Sequence, residues 1–292
     1  MVTDVAMGHA ARVLSPGVSA YFRRIGLAGM SEAGPSRADR GTLERIVAGH
    51  TRSIAYENLD TFAGREVLLD AASLTTKLVH GGRGGGCYEH NMLLRAALDE
   101  LGYTTVGLGA RVWWNEPDDA PVPARSHMLL LVDLPEEGPH IVDVGSGMAL
   151  TGVLRLDTDV EQATPHEAFR LLSKGSAFLL EVHLGAQWRP LYQFDLAEQY
   201  FADYVVNNWY NGHHPDSPFV NELLVGRPDI GFRYALSGSI SGGAGLAVHH
   251  VDGRTERRAL ESPAAVRAAL EERFLLDLSG MPDLDAVLSR MF

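Results

Sequence analysis

The segment Gly81-Gly82-Arg83-Gly84-Gly85-Gly86-Cys87-Tyr88-Glu89-His90-Asn91 holds the most chemically suggestive residues of this chain. Five glycines lead into Cys87, the only cysteine among 292 residues. Glycines let a backbone turn sharply and leave room for a ligand to approach. Met92, Leu93, Ala96, Ala97 and Leu101 share one helical face and Gly102 follows them, so the spacing predicts a helix over 87–101 with the thiol at its start. Free N–H groups and the positive end of the helix dipole lie there. A thiol so placed gains thiolate character, and the same N–H groups can hold the oxyanion formed when a thiolate attacks a carbonyl. The segment lacks the Lys and Ser or Thr of a phosphate loop, and its glycines do not form a dinucleotide fingerprint. A buried, inert cysteine is the alternative at this point.

A thiol nucleophile needs a base, and the base needs an orienting group. Of the twelve histidines, His127 opens the apolar run 126–132, and Asp143 lies between Val142 and Val144 in the run 140–144. The turn-rich connector 133–139 makes these runs antiparallel neighbours. A turn centred at Glu136 sets Leu129 opposite Asp143 and His127 opposite Gly145. His127 and Asp143 are then diagonal neighbours on one face, and a slip of one residue would separate them. A carboxylate among valines requires a partner, which an imidazole N–H supplies. The pairs His213-His214 and His249-His250 lack metalloprotease spacing and read as loop or solvent-facing residues. His90 reads as a capping or packing residue. No metal site is expected.

The elements that must position these groups change character along the chain. Val18, Phe22 and Ile25 before Gly26 predict one helix, and Leu43, Ile46 and Val47, with Thr42 as N-cap, predict another ending near Gly49. Strands are expected at 105–112, 127–132, 140–144, 177–184 and 191–194, separated by Pro- and Gly-bearing turns, which suggests a small antiparallel barrel or meander. The last third mixes a helix at 198–206, a loop at 207–218, strands near 232–236 and 246–251, and a helix at 262–274 opened by Ser262-Pro263. The class is therefore α+β. With 46% apolar and 21% charged residues the composition is that of a globular chain. A net charge of −12 argues against a nucleic-acid binder but not against a phosphate-bearing small molecule held by a local cluster. One cysteine allows no internal disulfide, no apolar run reaches membrane length, and the N-terminus does not read as a secretory signal; a cytoplasmic location is expected.

Taken together, these residues resemble the arylamine N-acetyltransferase family. Arg83-Gly84-Gly85-Gly86-Cys87-Tyr88-Glu89-His90-Asn91 looks like its R-G-G-x-C-[FY]-E-x-N signature. Ala110-Arg111-Val112, Ser126-His127 and Val142-Asp143-Val144-Gly145 follow in the family's order of Cys, His and Asp. Tyr21-x-x-Arg24-Ile25-Gly26 and Tyr56-Glu57-Asn58-Leu59 fit upstream; Trp188-x-x-Leu191-Tyr192-x-Phe194, Asp203, Asn207-x-Trp209-Tyr210 and His214-Pro215-x-Ser217-Pro218-Phe219 fit downstream. The resemblance implies a helical first domain (1–104), an antiparallel β-barrel second domain (105–206) and an α/β lid (207–292). It implies ping-pong transfer of an acetyl group from acetyl-coenzyme A through a thioester on Cys87 to an arylamine, arylhydroxylamine or hydrazine, xenobiotic amines included. His127 matches the base and Asp143 its orienting group. Tyr56, Val112, Trp114, Ser126, Gly145, Ser146, Gly147 and Phe219 match cleft positions for coenzyme and acceptor. Arg24, Glu57 and Arg83 match charged structural positions near the site.

Two positions depart from the family pattern. Gly86 stands where relatives often carry a large residue, and Ser146 where they usually carry Phe. Loss of a phenyl group beside the reactive centre implies a wider cleft with less stacking surface. The neighbouring readings are an amide synthase of the same fold acting on a polyketide thioester, a thiol hydrolase or transglutaminase-like enzyme, and a non-catalytic binding protein on this scaffold.

Overall fold

The computed structural model describes residues 14–30, 38–117, 119–148 and 150–292. Helices dominate its first part. One spans Pro16–Arg24, capped by the Ser15 hydroxyl, and a second spans Arg40–Ser53. The second begins earlier than the sequence suggests: Asp39, not Thr42, is the N-cap, and its carboxylate accepts the Thr42 N–H at 2.7 Å. Strand β1 (Tyr56–Glu57) follows, then short helical turns, then the helix Cys87–Leu101, which ends at Gly102 in the left-handed conformation (φ 90°). That helix has the bounds its apolar spacing predicts.

The middle of the chain forms an eight-stranded antiparallel sheet. Its strands are β2 (Thr104–Val112), β3 (His127–Leu134), β4 (Gly138–Val142), β5 (Leu154–Arg155), β6 (Gln162–Ala163), β7 (Ala168–Lys174), β8 (Ala177–Leu184) and β9 (Gln187–Glu198). They are ordered β5-β4-β3-β2-β9-β8-β7-β6. The sheet curls into a nearly closed barrel around Leu108, Leu129, Ile141, Phe169, Leu171, Leu180 and Val182. At its seam the Gln162 side chain substitutes for a strand, accepting the Arg155 N–H at 2.7 Å and donating to the Arg155 carbonyl at 2.9 Å. The register of β3 on β4 pairs Leu130 with Val142 and Leu131 with Ile141. This is the register a turn at Glu136 sets, and Glu136 adopts the positive φ (70°) that closes it.

A helix then spans Phe201–His213, longer than the stretch ending at 206, so the expected loop at 207–218 is helical over its first half. The chain ends in β10 (Glu222–Asp229), β11 (Phe232–Ser239), β12 (Gly243–His250) and β13 (Thr255–Leu260), followed by the helices Pro263–Glu272 and Leu284–Ser289. Strand β1 pairs with β10 and completes a second antiparallel sheet, ordered β1-β10-β11-β12-β13. The first helices and the last sheet are therefore tied through the residues that precede the glycine segment. His249 and His250 lie within β12 and are half-buried rather than in a loop. No helix of the described residues is long and apolar enough to cross a membrane.

Candidate active site

The start of the Cys87 helix rests against the β3–β4 end of the barrel. Its side chains Leu93, Leu94, Ala97 and Leu98 pack with Met128, Leu130, Val142 and Val144 in one buried cluster. This packing delivers Cys87 to His127 and Asp143. Gly145 makes the approach possible: a Cβ there would lie 2.7 Å from both the Cα and the carbonyl of Cys87.

His127 Nε2 meets Asp143 Oδ2 at 2.7 Å, with both residues buried. That bond leaves Nδ1 as the ring nitrogen open to the neighbouring Cys87 thiol, which adds to the pull of Asp143 on the imidazole. Burial works against the imidazolium, but the Asp143 charge and its hydrogen bond outweigh it, and His127 is pushed up to about 10. Burial opposes ionisation of Asp143 too; the His127 charge and bonds from His127, Asn91 and the Gly145 N–H hold it below the usual carboxylate range. The Cys87 thiol donates to the Ser126 carbonyl at 3.7 Å.

Two supporting residues were quoted in the sequence motifs without a role. Asn91, one helical turn after Cys87, donates its amide to Asp143 Oδ1 (3.1 Å), the Met128 carbonyl (2.8 Å) and the Cys87 carbonyl (3.2 Å), and accepts the Val144 N–H (3.2 Å). One buried amide thus fixes all three segments that carry the centre. Its signal was the i, i+4 spacing from Cys87, which places a polar group on the same helical face. Tyr192 on β9 tilts over His127 with ring centroids 5.0 Å apart. Its identity alone carries no hint of this, because the contact is made across the sheet.

Behind the glycine segment lies a charged cluster. Arg83 pairs with Glu57 at 2.7 Å and with Asp60 at 3.4 Å; Lys77 pairs with Asp60 at 2.6 Å and with Glu89 at 2.7 Å. Glu89 also accepts the Gly86 N–H at 2.8 Å, closing the helix start. Arg24 sits apart from this cluster and donates to the Leu78 carbonyl at 3.2 Å.

The other motif positions are distributed as follows. Tyr56 and Phe219 line one cleft with Cys87, Tyr88, Val67, Asn208 and Asn211. Asn58 holds that wall, donating to the Phe219 and Glu222 carbonyls and accepting the Leu224 N–H. Ser146 is half-buried and Gly147 exposed in the bend after Gly145, where Gly147 backs onto Gly226 of β10. Val112 pairs with Tyr192 at the end of β2. Trp114 packs on the barrel core with the Arg189 guanidinium 4.6 Å from its ring centre, and does not line the cleft with Cys87. Among the described residues no group of three or more His, Cys, Asp or Glu is placed to hold a metal.

A thiol, an imidazole and a carboxylate in this order form a centre for nucleophilic attack on an acyl carbon. Comparison with known proteins agrees with that class. The N-acetyltransferase family model matches residues 39–283. The arylamine N-acetyltransferase of Mycolicibacterium smegmatis is 42% identical over 268 residues, covering 91% of this chain and 94% of the relative. That of Escherichia coli K12 is 36% identical over 265 residues, covering 89% of each. The solved structure of Mycobacterium marinum arylamine N-acetyltransferase in complex with CoA superposes with a TM-score of 0.87 at 36% identity, covering 94% of this chain and 99% of that one. The chain belongs to the arylamine N-acetyltransferase family.

Proposed function

We propose that this protein transfers an acetyl group from acetyl-coenzyme A to the nitrogen of an arylamine, arylhydroxylamine or hydrazine, with Cys87 as the acyl carrier. The observation that carries the reading is the buried His127–Asp143 pair at 2.7 Å with the Cys87 thiol beside its imidazole, at the wall of a cleft. His127 takes the thiol proton, and the thiolate attacks the thioester carbonyl. The Cys87 N–H, at the helix start, faces the developing oxyanion; the Gly86 N–H is already taken by Glu89. The C–S bond to the coenzyme breaks and its sulfur leaves as the thiol, carrying the proton from His127. The amine then attacks the Cys87 thioester, gives a proton to His127, and departs as the amide while Cys87 is released. Asp143 holds the imidazole in one tautomer through both halves.

The division into 1–104, 105–206 and 207–292 belongs to the same reading. It is supported by one buried cluster, Leu108 to Phe194, that lies wholly within 105–206; the other two cross the boundaries, the first taking in Met128, Val142 and Tyr204 and the last Ala55, Leu59 and Phe62, and the helix Phe201–His213 spans the second boundary. A cytoplasmic location, small-molecule amine partners and no nucleic-acid or membrane partner also belong to it, supported by the family and by the net charge of −12. The test is intact mass after incubation with acetyl-coenzyme A and no acceptor. One acetyl adduct is expected at Cys87, absent in Cys87→Ala and removed by an added arylamine. An unmodified protein beside intact coenzyme overturns the reading.

A further inference from the structure

The Ser126 carbonyl stands between two donors. The Cys87 thiol reaches it at 3.7 Å, and the Asn211 side-chain amide reaches it at 2.9 Å. Ser126 directly precedes His127, so this oxygen lies beside the imidazole that must take the thiol proton. The S–H bond to Ser126 exists only in the thiol form; a thiolate facing a carbonyl oxygen is repelled by it. Any donor that draws charge from that oxygen weakens the first state and relieves the second.

Asn211 is built for such a role. It is buried on the helix Phe201–His213, lines the cleft with Cys87, and its own carbonyl accepts the Ser217 hydroxyl at 2.6 Å. The helix is fixed from both sides: Asn208 donates to the Val67 carbonyl at 2.9 Å and the buried Tyr204 hydroxyl to the Leu108 carbonyl at 3.3 Å. Its outer surface is apolar and aromatic, with Phe201, Val205 and Trp209 exposed, whereas Asn208 and Asn211 bond the backbone carbonyls of two other segments, at Val67 and Ser126.

We propose that Asn211 is a positioning residue of the thiol centre: its amide occupies the Ser126 carbonyl, loosens the hold of that oxygen on the Cys87 S–H and so favours proton transfer to His127. This rests on Cys87 being the nucleophile. The ionisable groups that face the thiol are His127 on β3, backed by Asp143, with Tyr56 on β1, Tyr88 on its own helix and Tyr204 on the Asn211 helix. None of the tyrosines ionises in the acid and neutral range, because burial raises each of them, so the acid limb of thiol reactivity reports the Cys87–His127 pair.

The experiment is the rate of Cys87 alkylation by iodoacetamide between pH 4 and 9, which needs neither acetyl donor nor amine and so stands whether or not the acetyl-transfer reading holds. In Asn211→Leu, close to isosteric, and in Asn211→Ala, the acid limb is expected to move up by about half a unit to one unit, the effect of one lost hydrogen bond. With substrates, kcat falls several-fold with little change in the amine KM. Ser217→Ala, which leaves the Asn211 amide in place, shifts the limb less and in the same direction. A limb that superposes on wild type in these variants overturns the proposal even if kcat falls, because a purely structural role would lower activity without changing the titration.

Discussion

Glu89 and His90 are adjacent on the Cys87 helix, and about 100° of helical rotation sends them to opposite sides. Glu89 enters the charged cluster with Lys77, Asp60, Arg83 and Glu57. His90 enters a neutral one. Tyr21 donates its hydroxyl to His50 Nδ1 (2.9 Å), His50 Nε2 meets His90 Nδ1 (2.8 Å), and His90 Nε2 meets the Ala55 carbonyl (3.1 Å). Because the last acceptor is a carbonyl, His90 must carry its proton on Nε2 and accept at Nδ1. His50 then donates from Nε2, and every bond runs one way with both rings neutral. Burial first, then the neighbouring His90 and Arg24 charges, lowers His50; burial also carries His90 down to about 4. Across the helix, burial works against Lys77 but Glu89, Glu57 and Asp60 outweigh it and raise its pKa. Buried charge persists where several fixed opposite charges meet it, and gives way to neutral rings where the partners are a hydroxyl and a carbonyl.

The strongest way to break this contrast is on the charged side. Lys77→Met leaves Glu89 and part of Asp60 uncompensated, and is expected to cost roughly 3–5 kcal/mol in chemical denaturation. The neutral side should tolerate a substitution that keeps one donor and one acceptor. His90→Leu strands a His50 N–H and leaves the Ala55 carbonyl only the long bond from the Gly85 N–H (3.4 Å), and should cost about 2–3 kcal/mol, whereas His90→Gln should stay within about 1 kcal/mol of wild type. Equal losses in those two variants would mean that ring packing, not the hydrogen-bond run, holds this side.

The pH dependence sharpens the comparison further. His50 and His90 are lowered in the folded state, so the unfolded chain binds their protons first. Their contribution is complete above the ordinary imidazole range and is lost as pH falls toward about 4. His127 is raised, so its contribution is complete below the ordinary imidazole range and is lost as pH rises through about 10. Urea midpoints measured against pH should therefore fall at both ends; His90→Gln should flatten the acid side and His127→Gln the alkaline side. The smallest stability effects belong to the cleft mouth. Ser146→Phe and Gly86→Phe should leave the midpoint nearly unchanged, since a Cβ at Gly86 meets only the Glu89 carboxylate at 3.9 Å. Kinetics on small and bulky amines should show Ser146→Phe shifting preference toward small planar acceptors; an unchanged preference sinks the link between Ser146 and a wider cleft.

The sequence made the helix 87–101 and the β3–β4 register legible because apolar spacing and one turn determine both. His127 and Asp143 followed from that register. What it hid had physical reasons. Strand β10 carries only two fully apolar inward residues, Leu223 and Val225, between charged ends and Pro228, so its period is weak. The helix Phe201–His213 contains Asn207, Asn208, Asn211 and Gly212, which read as loop residues; Asn208 and Asn211 are instead held in the helix by carbonyls elsewhere. Asn91, Tyr192 and the His50–His90 run depend on contacts between segments far apart in the chain, which spacing cannot encode. Even in the glycine segment the residues are not equivalent. A Cβ at Gly84 would sit 1.9 Å from the Ala55 carbonyl, so glycine is required there, whereas Gly86 has open space.

The seam at Gln162 has a consequence for life in a crowded solution. An unclosed barrel exposes the edge of a short strand, and a bare edge is a template on which another chain can add. By bonding both the N–H and the carbonyl of Arg155, one glutamine removes the two groups a stray strand would need. A single amide therefore blocks strand addition on the β5 side of the seam.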